Sequence, residues 1–405
     1  MTGLILGAVV LLIAGYVKLS SMILNRLIAV PWPASLNKIF EIIQLFSMPA
    51  YAVILLISLY FRHAGFGGLN WQTITYGEWV LILAGVIGFG FLVHSTIVFQ
   101  CYRTPHCEIA CDSQIVDFRT SRSAIVSDEI TAPDDWRTTL VGPRPRRSIA
   151  LLPGNQQFSL EVSTKTYSFP RLPPAWDGLS IVHFADTHFR GAVTRRYFEL
   201  VCEHARALEP DLFVFSGDLI DDLTHLDWFG PTLGQLKAPL GQYFVLGNHD
   251  WFLDENIVRH DCERHGWIDL SSRCIELHKG QSDPPIVIAG DETPWMGKHP
   301  DLSQVSPETF RILLSHIPDN IMWAREQKVD LMLAGHTHGG QIRLPLVGPI
   351  YAPSLYGCRF ASGVFWLDPT LMYVSRGISG REPIRYNCVP ELTKIVLRSG
   401  QSSRE

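Results

Sequence analysis

Residues 331–341 read L-M-L-A-G-H-T-H-G-G-Q, and residues 179–188 read L-S-I-V-H-F-A-D-T-H. In both, an apolar run of strand length stops abruptly at a polar cluster. The pattern recurs through the C-terminal half. Residues 212–215 end in S-G-D, 243–246 in G-N-H-D, 286–289 in G-D and 312–314 in S-H. Stretches with helical spacing fit between them, for example 195–208 and 319–327. Short apolar strands alternating with helices predict βα units around a buried sheet, an α/β fold. Three later runs, 363–367, 371–375 and 392–397, predict antiparallel edges.

The polar residues fall where such a fold concentrates chemistry. In open α/β sheets, ligands bind outside the carboxyl ends of the strands. Asp186, His188, Asp218, Asn248, His249, His316, His336 and His338 are therefore expected to converge. Gly217, Gly247 and Gly335 precede the key residues and permit sharp turns and close approach. Each motif alone has a plain alternative: D-T-H can end a strand or cap a helix, and G-D-L-I-D can be a turn. Their joint recurrence at successive strand ends is what points to a site. His336 and His338, two apart, face the same side of an extended segment. Asp, Asn and His donors suit Mn²⁺, with Fe or Zn²⁺ as alternatives, better than a thiolate site would. A carboxylate can bridge two such ions. Two metals about 3.5–4 Å apart can grip a phosphoryl group and turn a bound water into hydroxide for attack on phosphorus. A neighbouring His can then protonate the leaving oxygen.

The set A-D-T-H, G-D-L-I-D, G-N-H-D, S-H-I-P and G-H-T-H-G-G-Q resembles the calcineurin-like metallophosphoesterase superfamily over about residues 179–397. The resemblance implies a two-layer β-sandwich flanked by helices. It also implies that Asp186, His188, Asp218 and His338 hold one metal, while Asp218 bridges to a second completed by Asn248, His316 and His336. His249 would be the general acid, and Asp221 would orient it. G-D-L-I-D lacks the Arg-Gly that follows in Ser/Thr protein phosphatases, and His188 and the absence of a Tyr after the second motif separate the chain from purple acid phosphatases. The tail S-R-G-I-S-G-R-E-P-I-R-Y-N-C-V-P-E-L from Ser375 looks most like bacterial membrane-linked phosphodiesterases of the YkuE-like group. Some relatives there cleave the pyrophosphate of a nucleotide-linked acyl sugar.

The 405 residues are 47% hydrophobic and only 18% charged, and the apolar excess sits at the N-terminus. Three stretches there, 4–19, 45–61 and 79–99, approach the ~20 residues a helix needs to cross a bilayer. The first lacks a basic leader and a cleavage site, so it reads as an anchor rather than a signal peptide. The loop between the first two carries Lys18, Arg26 and Lys38, the next only Arg62, and Arg103, Arg119 and Arg122 follow the third. The positive-inside rule then places the long C-terminal part in the cytoplasm. His94, inside the third stretch, has no acidic partner nearby and is expected to pack neutral between helices. The expected division is residues 1–100 as a transmembrane region, 101–148 as a linker and 149–405 as the catalytic domain. The linker carries Asp128, Glu129, Asp134, Asp135 and the basic run 143–147, which reads as solvated, with contact to anionic headgroups as the alternative.

A net charge of −5 gives no basic footprint, so no nucleic-acid partner is expected and a nuclease is disfavoured. The eight Cys form no C-x-x-C pair, and Cys101, Cys107 and Cys111 with His106 read as plain thiols rather than a metal cluster. The leading expectation is a membrane-anchored two-metal phosphodiesterase or phosphomonoesterase whose partners are a phosphate ester, lipid-linked in one version, and membrane lipids, with no protein partner predicted. The alternatives are a pyrophosphatase cleaving a lipid-linked nucleotide such as a UDP-acyl-sugar, and a non-catalytic membrane scaffold with a structural metal site. Arg343, Arg381 and Arg385 are candidate phosphate contacts. Trp251 and Phe252 are either pocket walls or core.

Overall fold

The computed structural model describes residues 2–62, 71–101, 108–120, 136–143 and 146–400. The chain divides into two compact units, residues 1–103 with 343–359, and residues 104–342 with 360–405.

The second unit carries the α/β pattern. Its strands begin with β1 (Glu108–Asp117), β2 (Ser159–Phe169), β3 (Ser180–Phe184), β4 (Leu212–Ser216), β5 (Gln242–Val245) and β6 (Ile268–Asp269). They continue with β7 (Cys274–Leu277), β8 (Ile286–Asp291), β9 (Arg311–Ser315) and β10 (Leu331–Ala334). The short β11 (Arg343–Leu344) and β12 (Gly348–Pro349) pair in the other unit, and β13 (Gly363–Leu367), β14 (Thr370–Val374) and β15 (Glu391–Ser399) close the chain. One sheet has the order β1-β2-β15-β3-β4-β5-β6, the other β13-β14-β10-β9-β8-β7. The centres of both are parallel: β3, β4 and β5 in the first, β8, β9, β10 and β14 in the second.

Alternate side chains along the central strands explain the layering. Ile181, Leu212, Val214 and Val245 share one core with Ile288, Ile312, Leu314 and Leu333 of the opposite sheet. Their neighbours Val182, Phe213, Phe215 and Phe244 point the other way and pack on Phe198, Val201 and Ala205 of the helix Arg195–Ala207. Period-two alternation thus buries both faces, which is why these strands read as unbroken apolar runs. Each large side chain so buried stabilises the unit by roughly 1.5–3 kcal/mol. The result is the expected two-layer sandwich with helices outside.

Two sequence expectations change. Of the three runs expected at antiparallel edges, β13 is one. β14 lies inside its sheet, parallel to β10 and buried along its whole length, and β15 lies between β2 and β3. Within the stretch expected to be a linker, β1 pairs antiparallel with β2 in a register that sets Val116 opposite Leu160. All but one of its side chains are at least partly exposed, so it carries no buried-face pattern to read. Arg119, counted as a charge flanking a membrane segment, belongs here and grips Asp117 at 2.6 Å. Arg103, His106, Cys107, Arg122, Asp128, Glu129, Asp134, Asp135, Arg144 and Pro145 lie outside the described residues.

The first unit holds three helices, α1 (Thr2–Ile28), α2 (Ala34–Arg62) and α3 (Tyr76–Cys101), each long and apolar enough to cross a membrane. They outrun the apolar stretches; in α1 the helix continues past residue 19 through Arg26 to Ile28. At about 1.5 Å per residue, the 27 residues of α1 exceed the ~30 Å hydrocarbon core. α1 and α3 approach closely at Gly15 and Gly88, where a Cβ on Gly88 would lie 1.9 Å from the Gly15 carbonyl oxygen. Lys18 is buried on α1 rather than sitting in a connecting loop. His94 stands on an exposed position of α3, not between helices as expected. Residues 343–359 belong to this unit: the Asn25 side chain donates to the Ile350 carbonyl at 3.3 Å and accepts from the Ala352 N–H at 3.2 Å. Arg343 therefore belongs to the helical unit, whereas the other two candidate arginines belong to the sandwich.

Candidate metal centre

Each candidate residue stands at or just past the carboxyl end of a strand: Asp186 and His188 after β3, Asp218 and Asp221 after β4, Asn248 and His249 after β5, His316 after β9, His336 and His338 after β10. The loops are stitched together by their backbones. Asp186 N–H donates to Gly217 O at 3.0 Å, His188 N–H to Asp218 O at 3.0 Å and Gly335 N–H to His316 O at 3.0 Å. Asp186, His188, Asp218, His336 and His338 all adopt left-handed φ, from 46° to 70°. Non-glycine residues rarely sit there, and such strain gathers at functional sites where the surroundings enforce it. Gly247 has a different purpose from the expected sharp turn: a Cβ there would lie 2.3 Å from Asp218 Oδ1. Its missing side chain makes room for a neighbouring carboxylate rather than for a ligand.

The donor set answers whether cations fit. His338 Nδ1 donates to the Ser379 carbonyl at 3.1 Å, which leaves Nε2 with a lone pair. His188 Nδ1 faces the Asp221 carboxylate at 3.1 Å and takes the proton, so its Nε2 is an acceptor too. These two Nε2 atoms lie 3.1 Å apart, and Asp186 Oδ1 is 3.7 Å from the His338 one. His316 repeats the arrangement. Its Nδ1 donates to the Ser216 carbonyl at 2.8 Å. Its Nε2 then faces Asn248 Oδ1 at 3.1 Å, Asp218 Oδ1 at 3.3 Å and His336 Nδ1 at 3.0 Å. Lone pairs aimed at lone pairs repel unless a proton or a metal cation sits among them. Asp186, His188, Asp218 and His338 form one group able to hold an ion; Asp218, His316 and His336 form another, with Asp218 common to both. The residues present therefore fit two divalent ions.

Electrostatics point the same way. Burial raises the Asp186 carboxyl to about 6. Asp218 is equally buried, yet His316, His249 and His188 hold it well below the usual carboxylate range. Burial also opposes ionisation of Asp221, but His188 and His249 drive it far down. His249 is pushed up to about 9: burial works against its charge, and Asp218 and Asp221 outweigh it. Burial, His188 and Arg385 depress His338, leaving it a neutral donor of a lone pair. Burial works against the charge of His316 too, yet Asp218 and Asp186 raise it to about 9. Of these two imidazoles only His249 has a partly open face, with 23% of its side chain exposed against none for His316. The Nδ1 of His249 is 2.5 Å from Asp221 Oδ1, so its Nε2 points outward. Asp221 thus touches two imidazoles, not one.

Three residues have parts that the motifs do not announce. Asp250, buried, accepts from the N–H groups of Leu219, Ile220 and Gly247 and so ties the Asp218 loop to the Asn248 loop. It follows His249 directly, but nothing in G-N-H-D marks the last residue as a brace. Asp250→Ala should strip three buried donors of their acceptor and cost about 3 kcal/mol, read as a lower melting temperature and weaker metal retention. Trp295 stands 5.2 Å, centroid to centroid, from His336 and walls the second group. Arg385, one of the candidate phosphate contacts, is fully buried instead. Its guanidinium donates to the carbonyls of His338, Arg376 and Ser379 and so ties the tail to the loop that carries His338. Arg381 stays on the surface. Trp251 packs against the core and Phe252 is exposed, its ring 6.2 Å from that of His249.

Comparison with known proteins gives the same picture. The calcineurin-like phosphoesterase pattern matches residues 179–340. The metallophosphoesterase YkuE of Bacillus subtilis is 34% identical over 248 residues, 59% of this chain and 86% of that protein. The phosphodiesterase YaeI of Escherichia coli is 28% identical over 222 residues, covering 54% and 81%. The UDP-2,3-diacylglucosamine pyrophosphatase LpxG of Chlamydia trachomatis is 26% identical over 301 residues, covering 58% and 88%. The chain belongs to the calcineurin-like phosphoesterase family of metal-dependent phosphoric ester hydrolases.

Proposed function

We propose that this protein is a membrane-anchored two-metal phosphodiesterase. The observation that carries the reading is the convergence of metal-ligating atoms from Asp186, His188, Asp218, Asn248, His316, His336 and His338 beside a protonated imidazole that keeps a partly open face, His249. Asp186, His188, Asp218 and His338 hold the first ion, and Asp218, Asn248, His316 and His336 the second, with Mn²⁺ as the proposed metal in both. When bound, such a pair supplies charge for the phosphoryl oxygens and acidifies a water near neutral pH. The protein contributes the rest. His249 offers the proton on its outward nitrogen to the departing oxygen, and Asp221 fixes the ring and keeps it charged. A purely structural metal site would have no use for that proton, which argues against a scaffold.

The helices Gly3–Ile28, Ala34–Phe61 and Tyr76–Val98 are the proposed anchor, with the catalytic unit on the cytoplasmic side. A second reading, cleavage of a lipid-linked nucleotide pyrophosphate, is favoured by the pyrophosphatase relative together with those helices. The full chain in detergent, assayed on a chromogenic phosphodiester and its monoester, should turn over the diester with Mn²⁺ and lose that activity to chelator. No turnover of either ester by metal-loaded protein would sink the phosphodiesterase reading.

A further inference from the structure

Beside the metal centre lies a pocket of about 250 Å³ that none of the seven candidate ligands enters. Pro143, Arg146, Arg190, Thr194, His225 and Trp228 are among its lining residues. Arg190 sits two residues past His188, and its Nη1 is 3.8 Å from Asp221 Oδ2, the carboxylate that also touches His188 and His249. The pocket therefore adjoins the reacting centre through a single side chain.

Two guanidinium groups line it. Among the described residues, Arg146 has one carboxylate at ion-pair distance, Glu382 at 3.4 Å, and Arg190 has only the shared Asp221. Arg381 is near enough for its charge to act on both Arg190 and His249, while Glu382 acts on Arg190 in the opposite sense. The Arg146 and Arg190 side chains are only 25% and 22% exposed. Half-buried guanidinium groups with so few acceptors favour a ligand that brings anionic oxygens, and the planar fork matches phosphate. The T-shaped pair of His225 and Trp228, 4.6 Å between centroids, walls the pocket.

We propose that Arg146 and Arg190 hold a second phosphoryl group of the substrate and are the residues that let this site select diesters of pyrophosphate, the second reading above, over diesters of a single phosphate. This rests on the phosphoesterase reading above and assigns the residues that decide between its two versions. One phosphoryl group occupies the metal centre and the adjoining one lies against the arginines. Hydrolysis adds water across the phosphoanhydride: the bridging oxygen leaves with its electron pair and the His249 proton, and the arginines hold the departing phosphate.

The test uses the full chain in detergent with Mn²⁺, on a uridine diphosphate sugar and on bis-p-nitrophenyl phosphate. Arg190 touches Asp221, so Arg146 is the residue to change. Arg146→Gln should lower the ratio of kcat/KM for the pyrophosphate over the phosphodiester by about tenfold, mostly through KM, as loss of a charge-assisted contact predicts. Arg146→Lys, which keeps the charge, should recover part of the ratio. An unchanged ratio in Arg146→Gln overturns the assignment. If that variant instead only weakens inhibition by inorganic phosphate, the pocket takes released product and the assignment is again wrong. A wild-type protein that cleaves neither substrate defeats the phosphoesterase reading itself, whereas turnover of both at an unchanged ratio defeats the subsite alone.

Discussion

Asp218→Asn should reduce phosphodiester turnover by about a thousandfold or more, the size expected when a preorganised electrostatic contact is removed from a reacting site. The substitution keeps the shape and removes one charge and one acceptor. Asp218 stands within 3.5 Å of His188 Nε2 and 3.3 Å of His316 Nε2, and its Oδ1 also accepts the His249 N–H at 2.9 Å. It is the one side chain common to both candidate groups. Elemental analysis should therefore find fewer than two ions per chain. A second readout follows from linkage. Ions that bind only the folded protein raise its stability, so the rise in melting temperature on adding Mn²⁺ should shrink in the variant. The metal-free variant should fold, since one of the crowded carboxylates has lost its charge. Full activity with two ions bound would show that Asp218 is not the bridge.

His249→Ala should behave differently. Turnover should fall by about 10²–10⁴-fold, the range for a lost general acid, while two ions remain bound. The loss should depend on the leaving group. A nitrophenolate departs without help, so its ester should suffer far less than an alkyl ester whose oxygen needs the proton. A loss equal for both esters would mean that His249 steadies the phosphoryl group rather than protonating the leaving oxygen. Asp221→Asn should be the more damaging of the two for metal content, because Asp221 also fixes the His188 ring.

What could be read in advance follows from how strands bury themselves. β3, β4, β5, β9 and β10 are covered on both faces, so they appear as apolar blocks whose ends are unmistakable, and the functional side chains sit at those ends. β1 has no buried face, and its residues 108–117 read as polar connection. β15 looks like an edge because it is last in the chain, yet insertion between β2 and β3 is a matter of long-range pairing that local pattern does not express. Arg385 shows the same limit for side chains: an arginine after the last motif reads as a phosphate contact, and only the packed tail reveals three carbonyls waiting for it. Lys18 was counted as a loop charge because the apolar run ends near it, although the helix continues to Ile28.

The pairing of β1 with β2 decides where this protein can be cut. A catalytic fragment beginning at residue 149 looks natural from composition, but it would remove the whole strand Glu108–Asp117. β2 would be left with nine residues, Ser159 to Tyr167, unpaired along an open edge. Long bare edges recruit other chains. Such a fragment would also lose the helices beside which residues 343–359 pack, setting Leu346 and Leu355 adrift with them. Poor solubility of that fragment would then be a property of the scissors, and a version starting ahead of Glu108 would be the fair comparison.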